Sequence, residues 1–313
     1  MKAFVLAAGF GSRLRPFIEH LPKPLMPVLN VPALFYTFSL LKEAGVTEIF
    51  CNIHHHAAKI RKAVETQDFR GTTIRFSEEQ PILGTGGGLK KCECLLDDDE
   101  FFLVNSDIIT DIDLRDLRRH HRSSGAAGTL VLYETPDAPA IGQVGVENGL
   151  VRDFRNMRGT GLASMSIYTG TALLSPVIFR YLERGFSSII DTGFTGLIDN
   201  EGLAAYRHRG TWIDIGTIAT YHRVNTQKDA LPATITETVG RATGVLPHTL
   251  SPQASIDPSA RVRRSSVGAG CKIGAGAIVE DSVLLPGAVV AARETLRLSI
   301  RDRHTSVVLE EHP

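Results

Sequence analysis

The sequence predicts an α/β fold in two parts: a mostly parallel sheet covered by helices over residues 1–228, and a small parallel β-helix over residues 229–313. Three observations carry this. First, short apolar runs alternate with segments of helical spacing across the first part, the strand–helix–strand order of a parallel sheet covered on both faces. Second, after about Ala230 the composition shifts to Pro, Ser, Gly and Val, and aromatic residues vanish. Third, a short aliphatic residue then recurs about every sixth position, at Ile256, Val262, Val267, Ile273, Val279 and Leu285, with VGAGCK and IGAGAI as successive copies. That period is the mark of a hexapeptide-repeat coil.

The elements follow in order. Phe4–Ala7 reads as a buried first strand. Leu34, Phe38 and Leu41 fall on one helical face, and Gly45 suits the end of that helix. Glu48–Ile53 reads as a strand, Ala57–Glu65 as a helix and Thr73–Phe76 as a strand. Leu89–Leu96 looks helical, Phe101–Asn105 is an apolar strand, and Leu114–Arg122 and Thr129–Tyr133 continue the alternation. On such sheets ligands bind at the carboxyl ends of the strands. Both the loop Gly9–Arg13 and Asp107 stand at such ends.

Composition excludes several classes of function. Lys+Arg and Asp+Glu both total 34, so the basic excess of a nucleic-acid binder is missing. No apolar stretch approaches the roughly 20 residues that cross a bilayer, and the N-terminus lacks a leader's cleavage site, which predicts a cytoplasmic protein without a membrane partner. Cys92 and Cys94 have no second pair at zinc-site spacing, so the cysteines read as free thiols in a reducing compartment. His54, His55 and His56 read as a polar loop after a strand, and Asp97–Glu100 as a solvated turn of mutually repelling carboxylates.

The stretch LAAGFGSRLRP, Leu6–Pro16, ends the first strand in two glycines and two arginines. It is not the dinucleotide fingerprint, because Leu14 holds the third glycine's place, nor is it a Walker A loop. A strand-to-helix turn with surface arginines accounts for it, and so does a loop that wraps a triphosphate through its amides while an arginine grips two phosphate oxygens. In LPKPLMPV, Lys23 lies between Pro22 and Pro24 with Pro27 behind, which predicts a stiff, extended mount for a cation.

Taken together, G-x-G-S-R-L-x-P followed by P-K-P resembles the sugar-phosphate nucleotidylyltransferases. The ordered segments GTGGGL at Gly84–Leu89, LVNSD at Leu103–Asp107, IGQVGVENGLVRDF at Ile141–Phe154 and GTWIDIGT at Gly210–Thr217 are similar to further motifs of that family. The resemblance implies a Rossmann-like, GT-A-like sheet, with the tail a left-handed parallel β-helix. It implies transfer of a nucleotide from a nucleoside triphosphate (NTP) to a sugar 1-phosphate. By the same resemblance Arg13 and Lys23 are catalytic, Arg13 on the leaving pyrophosphate and Lys23 on the α-phosphate. Leu6, Ala7, Ala8, Gly9, Gly11, Ser12, Gln80, Gly84, Thr85 and Gly86 would bind the nucleotide. Gly142 would approach the sugar, and Asp107 and Asp214 would hold Mg²⁺, a hard cation that takes one or two carboxylates plus phosphate oxygens and water.

Within the family, Leu6–Gly9 and Gly86–Gly88 look closest to enzymes that join UTP to N-acetylmuramate 1-phosphate, whereas the tail is similar to that of mannose-1-phosphate guanylyltransferases. Nucleotide and sugar therefore stay open between UTP and GTP and between these sugar types. Three positions depart from the family pattern. Ser106 replaces the glycine before the metal aspartate, Ser166-Ile167-Tyr168 replaces G-I-Y, and Phe154-Arg155-Asn156-Met157-Arg158 replaces F-x-E-K-P, losing its glutamate and its sugar-phosphate lysine. Arg155 or Arg158 is the candidate replacement for that charge. Two other readings stand beside transfer. One is an inactive nucleotide-binding regulatory subunit. The other is an acyltransferase working through the tail with His248 or His304 as base, for which the tail is short. The tail is expected instead to mediate a homo-oligomer.

Overall fold

The computed structural model describes residues 1–162, 164–227 and 229–310, so the composition boundary at Lys228 falls on a position outside the described residues. Contacts divide the chain into two compact units, one of Met1–Gly9 with Thr37–Trp212, the other of Phe10–Tyr36 with Ile213–Pro313.

The first unit is built on nine strands: β1 (Lys2–Leu6), β2 (Glu48–Ile53), β3 (Thr73–Glu78), β4 (Phe101–Asn105), β5 (Gly128–Glu134), β6 (Val144–Glu147), β7 (Leu150–Phe154), β8 (Ser166–Leu174) and β9 (Leu203–His208). Their order is β3-β2-β1-β4-β8-β5-β9-β7-β6. The pairings set seven of the nine in one direction, with β7 and β8 opposed. This is the mostly parallel sheet that the alternation predicts. The buried core takes Phe4, Phe50, Leu103, Leu130, Ala172 and Leu203 from six of these strands. Leu6 pairs with Asn52 on one side and Asn105 on the other, so two amide side chains flank the end of β1.

Two local expectations change. The helix expected at Leu89–Leu96 starts at Gly84, as Gly84–Lys91, and only a short turn, Glu93–Leu96, follows Cys92. Glycine weakens a helix by roughly 0.5–1 kcal/mol each, and here long-range packing overrides that preference. The acidic run is not wholly solvated. Lys2 grips Asp98 at 2.7 Å, while Arg118 and Arg122, one turn apart on the helix Leu114–Ser124, both bind Glu100, at 2.5 and 2.7 Å. Burial pushes the Glu100 carboxyl up, and the two guanidiniums more than offset it, holding it below the ordinary range.

In the second unit, one-turn helices at Ser12–Leu14, Phe17–Glu19 and Lys23–Leu25 precede a hairpin, Pro27–Val28 with Val31–Pro32. The P-K-P segment is therefore not extended throughout: Pro22 is, but Lys23 opens a turn that Pro24 tolerates because its fixed φ suits a first helical turn. The helices Ile218–Thr226 and Ala233–Thr243 lead into the C-terminal strands. These pair in parallel, Ser255 with Lys272 and Lys272 with Val289, Val262 with Val279 and Val279 with Leu296, each step advancing 17 residues. Val267, Ile273 and Val279, three of the six-spaced positions, share a buried core with Cys271, Ala277, Val290 and Leu296. Ile256 and Val262 are half-buried in the first rung. One corner repeats: Arg264, Asp281 and Leu298 all have positive φ, and the buried serines that follow donate or accept along the stack, Ser282 N–H to Ser265 Oγ and Ser299 N–H to Ser282 Oγ. Among the described residues no helix is long and apolar enough to cross a membrane.

Candidate active site

In the first unit, the strand ends form a cavity of about 200 Å³ lined by Leu6, Ala8, Gly9, Asn52, Ile82, Gly84, Thr85, Asn105 and Asp107. Six of these, Leu6, Ala8, Gly9, Gly84, Thr85 and Asp107, are positions the sequence singles out. Ala7 is buried behind it and donates its N–H to Asn52 Oδ1 at 2.7 Å. Asn52 Nδ2 in turn donates to Glu79 Oε1, and Glu79 Oε2 accepts the Leu83 N–H, both at 2.7 Å. Glu79 has no exposed surface, so a buried carboxylate organises the floor of the cavity through neutral donors. A buried carboxyl group needs such hydrogen-bond partners, because a polar group left bare in the interior costs free energy.

The glycines of GTGGGL are also set by contacts within the protein. A segment far along the chain straps them down: Gly86 N–H donates to Ser187 O, Ser187 N–H to Leu83 O, and Ile189 N–H to Thr85 Oγ1. A Cβ at Gly84, which has φ +70, would sit 2.5 Å from Ser187 O, and one at Gly86 would sit 2.7 Å from Ser187 Oγ. At Gly88 a Cβ would run into Glu79 and Asn52. Close approach of protein to protein is by itself reason for glycine at these three positions. Gly86 is buried under the strap and does not line the cavity. Gln80 turns away too, donating to Glu78 at 3.1 Å.

Ser106, in the place of a glycine, is buried, keeps negative φ and donates its N–H to Leu6 O at 3.1 Å, so its side chain fits without strain. In the sugar segment Gly142 has φ +137, and a Cβ there would lie 2.6 Å from Arg155 Nε. Arg155 lies over that glycine and donates to Ile141 O at 3.2 Å. Arg158 instead ion-pairs with Asp199, while its backbone N–H and the Thr160 N–H and hydroxyl all donate to buried Asp153. Burial raises the Asp153 carboxyl, but these donors win and hold it below the usual range. Met157, at the place of the family's lysine, is exposed.

In the second unit, Arg13 Nη2 donates to Asp214 Oδ2 at 3.3 Å and Lys23 Nζ lies 4.0 Å from Asp214 Oδ1. Lys23 is the more enclosed cation, its side chain 11% exposed against 61% for Arg13. Gly216 N–H donates to Asp214 Oδ1 at 2.7 Å, and a Cβ at Gly216 would strike Arg13, Asp214 and Lys23 at 2.6, 2.6 and 2.8 Å. Gly11, at φ +65, brings backbone against the Lys23 stem, where a Cβ would sit 2.9 Å from the lysine's own. Ser12 is exposed at the start of its turn. Of the tail histidines, His248 Nδ1 contacts Leu246 O at 2.8 Å, and the His304 ring lies 4.3 Å from that of His20.

Sequence reasoning missed Asn52, Asn105, Glu79 and Ser187. The two asparagines carry a signal, a polar residue near the end of an apolar strand. Ser187 carries none, being one serine in an irregular stretch. Among the described residues no three His, Cys, Asp or Glu side chains gather as a metal group.

The comparisons with known proteins agree with this architecture. Residues 2–230 match the nucleotidyl transferase family. The chain is 31% identical over 225 residues to a mannose-1-phosphate guanyltransferase of Candida albicans, a match spanning 69% of this chain and 61% of that protein. It is 31% identical over 281 residues to the Aspergillus fumigatus mannose-1-phosphate guanyltransferase, spanning 85% of this chain and 74% of that one. Among solved structures, a UDP-glucose pyrophosphorylase of Acinetobacter baumannii superposes with a TM-score of 0.63 at 21% identity, covering 72% of this chain and 92% of that one. That likeness speaks for the fold.

Proposed function

The chain belongs to the nucleotidyl transferase family, and on that premise we propose that it joins a nucleoside triphosphate to a sugar 1-phosphate, releasing pyrophosphate. The observation that carries this is the cluster of Arg13, Lys23 and Asp214 crowded over Gly216. In this transfer a sugar-phosphate oxygen attacks the α-phosphorus, the bond to the bridging oxygen of the β-phosphate breaks, and pyrophosphate leaves with the electron pair. A phosphate monoester ionises a second time near pH 6, so the nucleophile is already an anion and needs no base. What the reaction needs is cations where charge gathers. Lys23 serves the α-phosphate and Arg13 the leaving group, while Asp214 holds both in place before substrate arrives.

Leu6, Ala8, Gly9, Gly84 and Thr85 take the nucleoside in this reading, and Arg155, over Gly142, takes the sugar phosphate. Arg158, already paired, is the poorer candidate. The half-buried Asp107 and Asp214 offer the hard oxygens that Mg²⁺ accepts, and the bound ion would neutralise phosphate charge. The tail is read as a left-handed parallel β-helix through which copies associate. The catalytic part is read as 1–228 and the tail as 229–313, and the matched portion, 69% of the chain, spans about three fifths of the curated relatives matched first. Their names make GTP with mannose 1-phosphate the first pair to try, ahead of UTP.

A regulatory subunit without turnover is the second reading, favoured by Asn156 and exposed Met157 in place of the family's Glu and Lys. The test is pyrophosphate release with Mg²⁺ across a grid of NTPs and sugar 1-phosphates. One active pair establishes transfer and names both substrates. Silence across the grid with a nucleotide still bound supports the second reading.

A further inference from the structure

Lys23 is followed within a few residues by the hairpin turn Leu29-Asn30, both at positive φ, 46° and 66°. Three polar groups of this turn are taken by the C-terminal part of its own unit. Leu29 N–H donates to Asn225 Oδ1 at 2.9 Å, and Leu29 O accepts the His248 N–H at 2.9 Å. Asn30 Nδ2 donates twice, to His248 O at 2.8 Å and to Val267 O at 3.2 Å, and Val267 belongs to the core of the rungs. Just before the turn, Pro27 O accepts the buried Tyr221 hydroxyl at 2.6 Å.

Asn225 and Tyr221 lie on the helix Ile218–Thr226, which itself docks on the rungs, His222 Nε2 meeting Asp281 O at 2.6 Å. That helix starts just after Gly216, the glycine beneath the charge cluster, and is capped by Thr217. Both segments that supply the cluster, one with Arg13 and Lys23 and the other with Asp214, are thus fastened to the same stack of rungs.

We infer that Asn30 is a positioning residue for the transfer reaction, and that the C-terminal rungs serve as the base plate that registers Lys23 against Asp214. The inference rests on the reading of Lys23 proposed above. The residue type fits the task. Asparagine tolerates the left-handed backbone, and its amide supplies two donors, both used here. Glycine would keep the backbone and lose the donors, and aspartate would set oxygens against two carbonyls.

The test uses the full chain with Asn30→Gly and Asn30→Asp, assayed by pyrophosphate release and by amide hydrogen exchange. Both variants are expected to exchange faster over residues 27–32 and to lose about 10- to 100-fold in kcat, the scale of a misplaced catalytic group, with KM for both substrates nearly unchanged. Exchange over the first unit stays as in the wild type, which separates local release from general unfolding. Wild-type kcat in Asn30→Gly, whether or not exchange accelerates, overturns the inference, and so does a rise in KM with kcat intact. Lys23→Ala in the same assay separates the layers. If it keeps full turnover, or if the wild type is silent on the grid, the reading of Lys23 fails and takes this inference with it. If it is dead while Asn30→Gly is unimpaired, only this inference fails.

Discussion

The cavity of the first unit and the charge cluster of the second solve different problems with different physics. The cavity is shaped mainly by packing and hydrogen-bonded polar groups: two asparagines at strand ends, glycines pinned by a distant strap, and one buried carboxyl satisfied by amide donors. Its geometry is fixed by packing and short hydrogen bonds, which salt scarcely touches. The cluster is made of charges, with Arg13 reaching toward water and Lys23 largely enclosed, and the turn that follows Lys23 is tied to the main-chain carbonyls of His248 and Val267. Its strength follows Coulomb's law at intermediate dielectric and weakens with ionic strength. Shape and charge are thus supplied by parts of the chain that can be damaged independently.

Four experiments break or sharpen that contrast, taken from the largest effect. Lys23→Ala and Asp214→Ala should each cost on the order of 10²–10³ in kcat with little loss of thermal stability, read by pyrophosphate release beside a melting curve; a large stability loss with modest kinetic change would place the cluster on the packing side. Gly88→Ala should do the reverse. Its methyl collides with Glu79 and Asn52, and overpacking of this kind costs about 1–3 kcal/mol, so denaturant titration should show a clear drop that extra salt does not deepen. Arg155→Ala should raise KM for the sugar 1-phosphate by about 10-fold, the lower end of a charge-assisted hydrogen bond, while Arg158→Ala changes it little. Equal effects from the two would remove the distinction drawn from Asp199. The smallest effect is at Glu100. Its carboxyl lies below its unfolded value, so its pairing stabilises above the ordinary glutamate range and is lost as pH falls through the lower folded value. Glu100→Gln should therefore cost about 1 kcal/mol or less at pH 7, with the difference closing below about pH 4.

Much of the frame was legible in the sequence because it depends on short-range pattern. Phe101–Asn105 could be placed as a strand from an apolar run between an acidic turn and Ser106-Asp107, and Ala57–Glu65 from its periodicity. Gly11, Lys23 and Asp214 could be singled out from motif and chemistry, and the structure brings Lys23 and Asp214 together within one unit. What stayed hidden acts over long sequence distance. The strap at 187–189 meets Gly84–Gly86 a hundred residues away through backbone groups that any residue has, so no letter announces it. Glu79 and Asn52 are polar residues whose partners, not their neighbours, bury them. The composition shift near 228 carries no sign that residues 10–36 pack with the tail, because Asn30 reaches carbonyls of His248 and Val267, which have no residue-type signature.

The last rung has a feature with its own consequence. After Thr295–Arg301 the chain reverses, and Ser306–Val308 runs antiparallel along it, pairing Ser299 with Val308 and Arg301 with Ser306. A stack of parallel rungs is an open-ended template, and any exposed rung could in principle seed the next from another molecule. A strand only three residues long and pointing the wrong way denies a newcomer both register and direction. Along Ser299–Arg301 the stack is therefore closed to a further parallel rung, and its growth is limited at that edge by the chain's own reversal.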